Sequence, residues 1–146
     1  MSEKTVIWIP GEPARVTHQS GTRHLRTGRS YKTKALKDWE ATLKAALLPY
    51  RLEKPLEGPV SLTVTFGYQA KKKSNLWKWK TTRPDTDNMI KTVKDVMTRM
   101  GFWKDDAQIV VERCSKFWSK DPGIGIVVEP LEEDNGELID DEEVER

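Results

Sequence analysis

The chain is poor in the residues that staple small proteins or hold soft metals. Cys114 is its single cysteine among 146 residues, so no disulfide can close within the chain. His18 and His24 are its only histidines, which leaves no Cys/His zinc spacing. Cys114 lies in an apolar, strand-like run and reads as a small core residue rather than a nucleophile. Long apolar runs are missing too. The Val6–Ile9 run is too short for a signal peptide or a membrane span, so a reduced, cytoplasmic protein without a membrane partner is expected.

Negative charge is scarce over most of the length. Residues 1–128 hold 24 Lys and Arg against 13 Asp and Glu. Residues 129–146 reverse the sign, with one Arg against 10 acidic residues. A body this basic points to a polyanionic partner, nucleic acid first, against the alternative of a merely solvated basic surface. The expected organisation is one domain over residues 1–130 and an acidic, disordered tail over 131–146.

Apolar residues are few, but they are patterned. Thr5–Ile9 is β-branched and aromatic and reads as a strand, stopped by Pro10-Gly11-Glu12-Pro13. Residues 14–34 look like a basic loop or weak hairpin. Residues 35–48 form a helix candidate, with Leu36, Trp39, Leu43, Ala46 and Leu47 recurring at spacings of three or four. Val60–Tyr68 alternates like a half-buried strand. Over residues 86–100, Met89, Ile90, Val93, Val96, Met97 and Met100 fall within an arc of about 180° to 300° from Asp87 on a helical wheel. Gly101 is a suitable stop. Further strands open at Ile109–Val111 and Ile124–Val128. The order implies a mixed α/β (α+β) domain, a small mixed sheet with two helices packed on it.

Chemistry concentrates around the second helix. Asp85 and Asp87 stand two residues apart where it begins, and a hard cation such as Mg²⁺ takes one or two carboxylates plus substrate phosphate. Helix capping explains one aspartate equally well. Lys91 lies about 40° from Asp87 on the wheel, with Asp95 at about 80° and Lys94 at about −20°, away from the apolar arc. An ordinary surface ion pair would also produce that stripe. An EF-hand is excluded, because Ile90 and Val96 stand where glycine and a bidentate glutamate are required. A PD-(D/E)-x-K nuclease is poorly supported, since no (D/E)-x-K triplet follows Pro84-Asp85 on a strand. Beyond the helix, Gly101-Phe102-Trp103-Lys104-Asp105-Asp106 places two carboxylates between aromatics and a strand. Adjacent like charges are costly to bury without a cation, although a charged turn has the same composition.

Together these pieces resemble the core signature of RusA-like Holliday junction resolvases. The residues that carry the resemblance are Asp85-Thr86-Asp87-Asn88, Lys91, Asp95, Gly101-Phe102-Trp103, Asp105-Asp106 and Gln108-Ile109-Val110, with Ile9-Pro10-Gly11-Glu12-Pro13 similar to the opening strand and turn. The likeness covers roughly residues 5–129. It implies that Asp85, Asp87 and Asp106 bind a divalent metal and that Lys91 is catalytic, with Asp105 and Asn88 as accessory residues. It also implies Mg²⁺ as cofactor with Mn²⁺ as a candidate substitute, a homodimer, and four-way DNA junctions as substrate. A phage or prophage origin is associated with such proteins. Two basic sets are the expected DNA contacts: Lys71, Lys72, Lys73, Lys78, Lys80 and Arg83, which lead into the helix, and Arg15, Arg23, Arg26 and Arg29. Trp77 and Trp79 are expected to pack on the core or a dimer interface, with base stacking as the alternative. The competing functions are a flap or fork nuclease and a non-catalytic nucleic-acid-binding protein whose carboxylates are helix caps.

Overall fold

The computed structural model describes residues 4–134. The acidic stretch beyond residue 134 lies outside the described residues. A four-stranded sheet has the order β1-β6-β4-β5, with β1 Thr5–Pro10, β4 Val60–Gln69, β5 Ile109–Ser119 and β6 Gly123–Pro130. β1 and β4 each pair antiparallel with β6, whereas β4 and β5 are parallel. A short hairpin, β2 Thr22–His24 with β3 Ser30–Lys32, stands apart and accounts for the basic region near the N-terminus. Helices α1 Lys34–Leu47 and α2 Thr86–Arg99 pack against each other on one face of the sheet.

That face is where the alternating residues go. Val60, Leu62, Val64, Phe66 and Tyr68 of β4 are buried, as are Ile124, Ile126 and Val128 of β6 and Ile7 and Ile9 of β1. α2 closes over them with all six residues of its apolar arc. Each buried side chain of this size stabilises by about 1.5–3 kcal/mol, so the arc fixes how α2 is rotated on the sheet. Its polar stripe is thereby turned outward.

β5 runs far beyond the apolar triplet that announces it. It lies at the sheet edge, so only one long side pairs and its residues need not be apolar. Val110 is the extra residue of a bulge opposite Val60–Ser61 and is 61% exposed. The outer edge of β5 is covered only near its end. There Trp77 N–H donates to Trp118 O, Trp118 N–H to Lys78 O, and Lys80 N–H to Lys116 O. Among the described residues, no strand pairs with the outer edge of Ile109–Ser115.

Parallel strands need a crossover, and here α2 supplies it between β4 and β5. The helix begins beyond the carboxyl end of β4 and finishes beside the amino end of β5. The two acidic groups flanking α2 therefore belong to opposite ends of the sheet.

Candidate functional site

At the first end, Asp85 is the N-cap residue of α2, with extended backbone (φ −75°, ψ 146°). Its carbonyl accepts from Met89 N–H at 3.1 Å, but its carboxylate makes no capping hydrogen bond. Capping thus does not account for this side chain. Asp87 is exposed in the first helical turn, where the helix dipole favours negative charge. Neither carboxylate accepts a hydrogen bond from a described residue or forms an ion pair with one. Lys91 stands one turn further on. Its ammonium is 3.7 Å from Asp95, a loose surface pair of small energy that leaves the lysine free to turn elsewhere.

An open depression of roughly 420 Å³ adjoins Asp85. Arg15, Thr17, Gln19, Ser20, Arg83, Pro84 and Asn88 complete its lining. Asn88 donates to Gln19 Oε1 at 3.0 Å, which ties the N-terminal loop to α2. The Arg15 guanidinium lies 5.8 Å from the centre of the Tyr68 ring. Two arginines beside an unpartnered carboxylate suit a phosphate that arrives with a cation. Gln19 and Thr17 carried no signal in the sequence. They lie more than sixty residues from Asp85 in a loop without motif, and only folding brings them there.

At the other end, two adjacent aspartates have different surroundings. Asp105 caps a short 3₁₀ turn at Asp106–Gln108. Its carboxylate accepts from Ala107 N–H at 2.8 Å, while Gln108 Oε1 accepts from Asp105 N–H at 3.0 Å. Gln108 also donates to the carbonyls of Leu56 and Gly58, which fixes the turn to the neighbouring loop. Asp106 makes no such contact with a described residue. It faces a second depression with Lys32, Asp95, Thr98, Arg99 and Lys104. All three of its cations are already engaged, Lys32 and Arg99 by Glu40 and Lys104 by Glu57.

The expected convergence of Asp85, Asp87 and Asp106 around one cation does not occur within one chain. About 12–18 Å of helix axis separates Asp87 from the α2 residues that surround Asp106. Among the described residues, no group of three or more His, Cys, Asp or Glu could hold a metal ion. The pair Asp85–Asp87 still meets the smaller demand of Mg²⁺, which keeps waters and takes one or two carboxylates with substrate phosphate. A further groove between α1 and α2 is lined by Lys37, Lys44, Arg51 and Arg99 and holds none of these aspartates.

Lys80 is a correction. Expected to contact DNA, it is 2% exposed, and its ammonium lies 4.9 Å from the Tyr68 ring centre and 5.1 Å from that of Trp118. Burial pushes it below the ordinary lysine range, and Lys116 and Arg15 push the same way. Lysine is amphipathic, and here its polar end is satisfied by carbonyls inside rather than by solvent. Lys71, Lys72, Lys73, Lys78, Arg15, Arg23, Arg26, Arg29 and Arg83 are all exposed. For the tryptophans, packing on the core is excluded, while a dimer interface and base stacking remain as the alternatives. Trp77 and Trp79 are 64% and 71% exposed rather than packed on the core. Trp77 has a positive φ of 69° and stacks on Phe117 with centroids 5.9 Å apart, so the two do not continue one regular strand. Cys114 is half-buried beside the carbonyl of Thr86, and burial pushes its thiol up to about 12.

The family model for endodeoxyribonuclease RusA matches residues 10–129. A protein described as crossover junction endodeoxyribonuclease rusA, from Lactococcus phage r1t, is 44% identical over 71 residues, 47% of this chain and 54% of that relative. The chain thus matches about half the length of the phage protein. The uncharacterized protein YqaN of Bacillus subtilis (strain 168) is 32% identical over 136 residues, covering 82% of this chain and 92% of that relative.

Proposed function

The chain belongs to the RusA endodeoxyribonuclease family, and on that premise we propose that it is a metal-dependent nuclease that resolves four-way DNA junctions as a homodimer. The observation that carries the reading is chemical. The three aspartates assigned to the metal, Asp85, Asp87 and Asp106, are left without protein partners, whereas their neighbour Asp105 is consumed by a cap.

Asp85 and Asp87 would hold Mg²⁺, or Mn²⁺ in its place, from the start of α2. Such a cation, when bound, offsets phosphate charge and acidifies a coordinated water. The chain's own groups do the rest. Arg15 and Arg83 neutralise and orient the phosphate beside Asp85. Lys91, one turn above Asp87 and weakly held by Asp95, swings its ammonium to the negative charge that develops on the phosphate oxygens. Lys71, Lys72, Lys73 and Lys78, with Arg23, Arg26 and Arg29 of the hairpin region, extend the basic surface along the duplex arms.

A second copy supplies what one chain lacks. The open edge of β5 exposes Val110 and Val111. Pairing that edge with itself about a two-fold axis runs the two β5 strands antiparallel, and the two α2 helices with them. Asp106 of each chain is then carried towards the partner's Asp85 and Asp87. Two such centres related by a two-fold match a four-way junction, whose opposed strands are related in the same way.

The test is a synthetic four-way junction incubated with the protein, with and without Mg²⁺. Paired symmetrical nicks that need the metal and vanish in Asp87→Asn are the expected result. Equal activity on plain duplex, or full activity of Asp87→Asn with Mg²⁺ present, would discard the proposal.

A further inference from the structure

The segment that delivers Asp85 is held from beneath by two ammonium groups. Lys80 Nζ donates to Thr82 Oγ1 at 2.7 Å, to Thr82 O at 3.2 Å, and to Arg83 O. Lys116 Nζ donates to Thr82 O and Pro84 O. Three successive carbonyls, those of residues 82, 83 and 84, are thus fixed just before Asp85. No carboxylate pairs with either lysine among the described ion pairs. For Lys80 the rings of Tyr68 and Trp118 take that place.

Burying an ammonium without a carboxylate is an expensive way to tie down a loop. A neutral side chain would offer fewer donors, and an ammonium has three with no acceptor of its own. A carboxylate counter-ion would add negative charge close to the carboxylate of Asp85, which is itself without an ion-pair partner among the described residues. Here the aromatic faces take that role, and the Glu12 carboxylate acts on Lys80 without forming an ion pair with it.

We propose that Lys80 and Lys116 are positioning residues that fix the Thr82–Pro84 segment and so aim Asp85 at the metal. This rests on the nuclease reading above. Lys116 comes from β5 and Lys80 from the segment paired with it, so the aim of Asp85 is referenced to the sheet rather than to α2 alone. A misplacement of about 1 Å at a reacting centre can cost about a hundredfold in rate.

The experiment uses Lys80→Met and Lys116→Met in the full chain, with Lys116 the safer variant because its side chain is only half-buried. Both should bind a metal-free junction with unchanged Kd. Nicking should fall by about tenfold to a hundredfold, with a higher Mg²⁺ concentration needed for half-maximal rate and partial rescue at saturating Mg²⁺. Amide hydrogen exchange of free protein should rise over residues 81–88 and nowhere else. Wild-type exchange in that stretch for both variants overturns the inference whether or not the protein proves to be a nuclease. So does a wild-type Mg²⁺ dependence in an active pair of variants, or a loss confined to DNA affinity. An inactive wild type would instead indict the nuclease reading and leave the exchange result to decide this one.

Discussion

Two dead variants should make a live enzyme when they share a dimer. Asp87→Asn removes a carboxylate from the start of α2, and Asp106→Asn removes one beyond its end. α2 has 14 residues, a length of about 21 Å, whereas a Mg²⁺–oxygen bond is about 2.0–2.1 Å. The two lesions in one chain therefore cannot touch the same cation, and in the proposed dimer the partner supplies the other half. In a mixed dimer, one centre receives both lesions and the other receives neither. Co-expression with two different tags and tandem purification isolates that dimer. It holds one intact centre of two, so junction nicking should return to about half the wild-type rate, whereas either homodimer is inactive. The products should also differ from those of the wild type, because one working centre leaves singly nicked junctions instead of paired cuts. If each centre were built within one chain, every centre in the mixed dimer would carry a lesion. No recovery in the purified mixed dimer would refute the shared-site reasoning.

Other outcomes follow from the same structure. Val111→Asp at the open edge of β5 should give a monomer by light scattering and abolish nicking while the circular dichroism spectrum stays that of the folded chain, because Val111 is 40% exposed in the single chain; an active dimer would remove β5 as the interface. Asp105→Ala should lower stability by about 1 kcal/mol through loss of its cap and spare catalysis, whereas Asp106→Ala should leave Tm alone and stop nicking; thermal melts and junction assays on the pair check both halves. The Cys114 thiol, raised from 9.0 to about 12, should resist iodoacetamide at pH 8 until the chain is unfolded in urea. Its sign also sets a pH trend. The folded state keeps the proton that the unfolded state gives up, so the thiol's contribution to stability falls as pH rises from about 9 towards 12, which urea titrations at several pH values would detect.

The helical parts were legible because their period is strong. The apolar arc of α2 and its outward Asp/Lys stripe come directly from spacing, and the helix bounds shift by a residue at most. β5 was legible only at its start. Glu112, Arg113 and Lys116 break any apolar run, and an edge strand tolerates them. The burial of Lys80 is not legible in the sequence, because charge normally marks surface and nothing local shows that Tyr68 and Trp118 will enclose it. The separation of Asp106 from Asp85 and Asp87 was already contained in the order strand, helix, parallel strand. A crossover helix must hold its two flanks apart, but a motif read along the chain suggests nearness that the topology forbids.

The crossover also turns α2 into a ruler. In most domains a surface helix can gain or lose a turn over evolutionary time at little cost, as its loops absorb the change. In the proposed dimer the number of turns sets the distance between the half-centres of each subunit, and hence whether they meet their complements across the two-fold axis. Among descendants of this protein, insertions and deletions inside α2 should be purged, while the loops that flank neither half-centre vary in length.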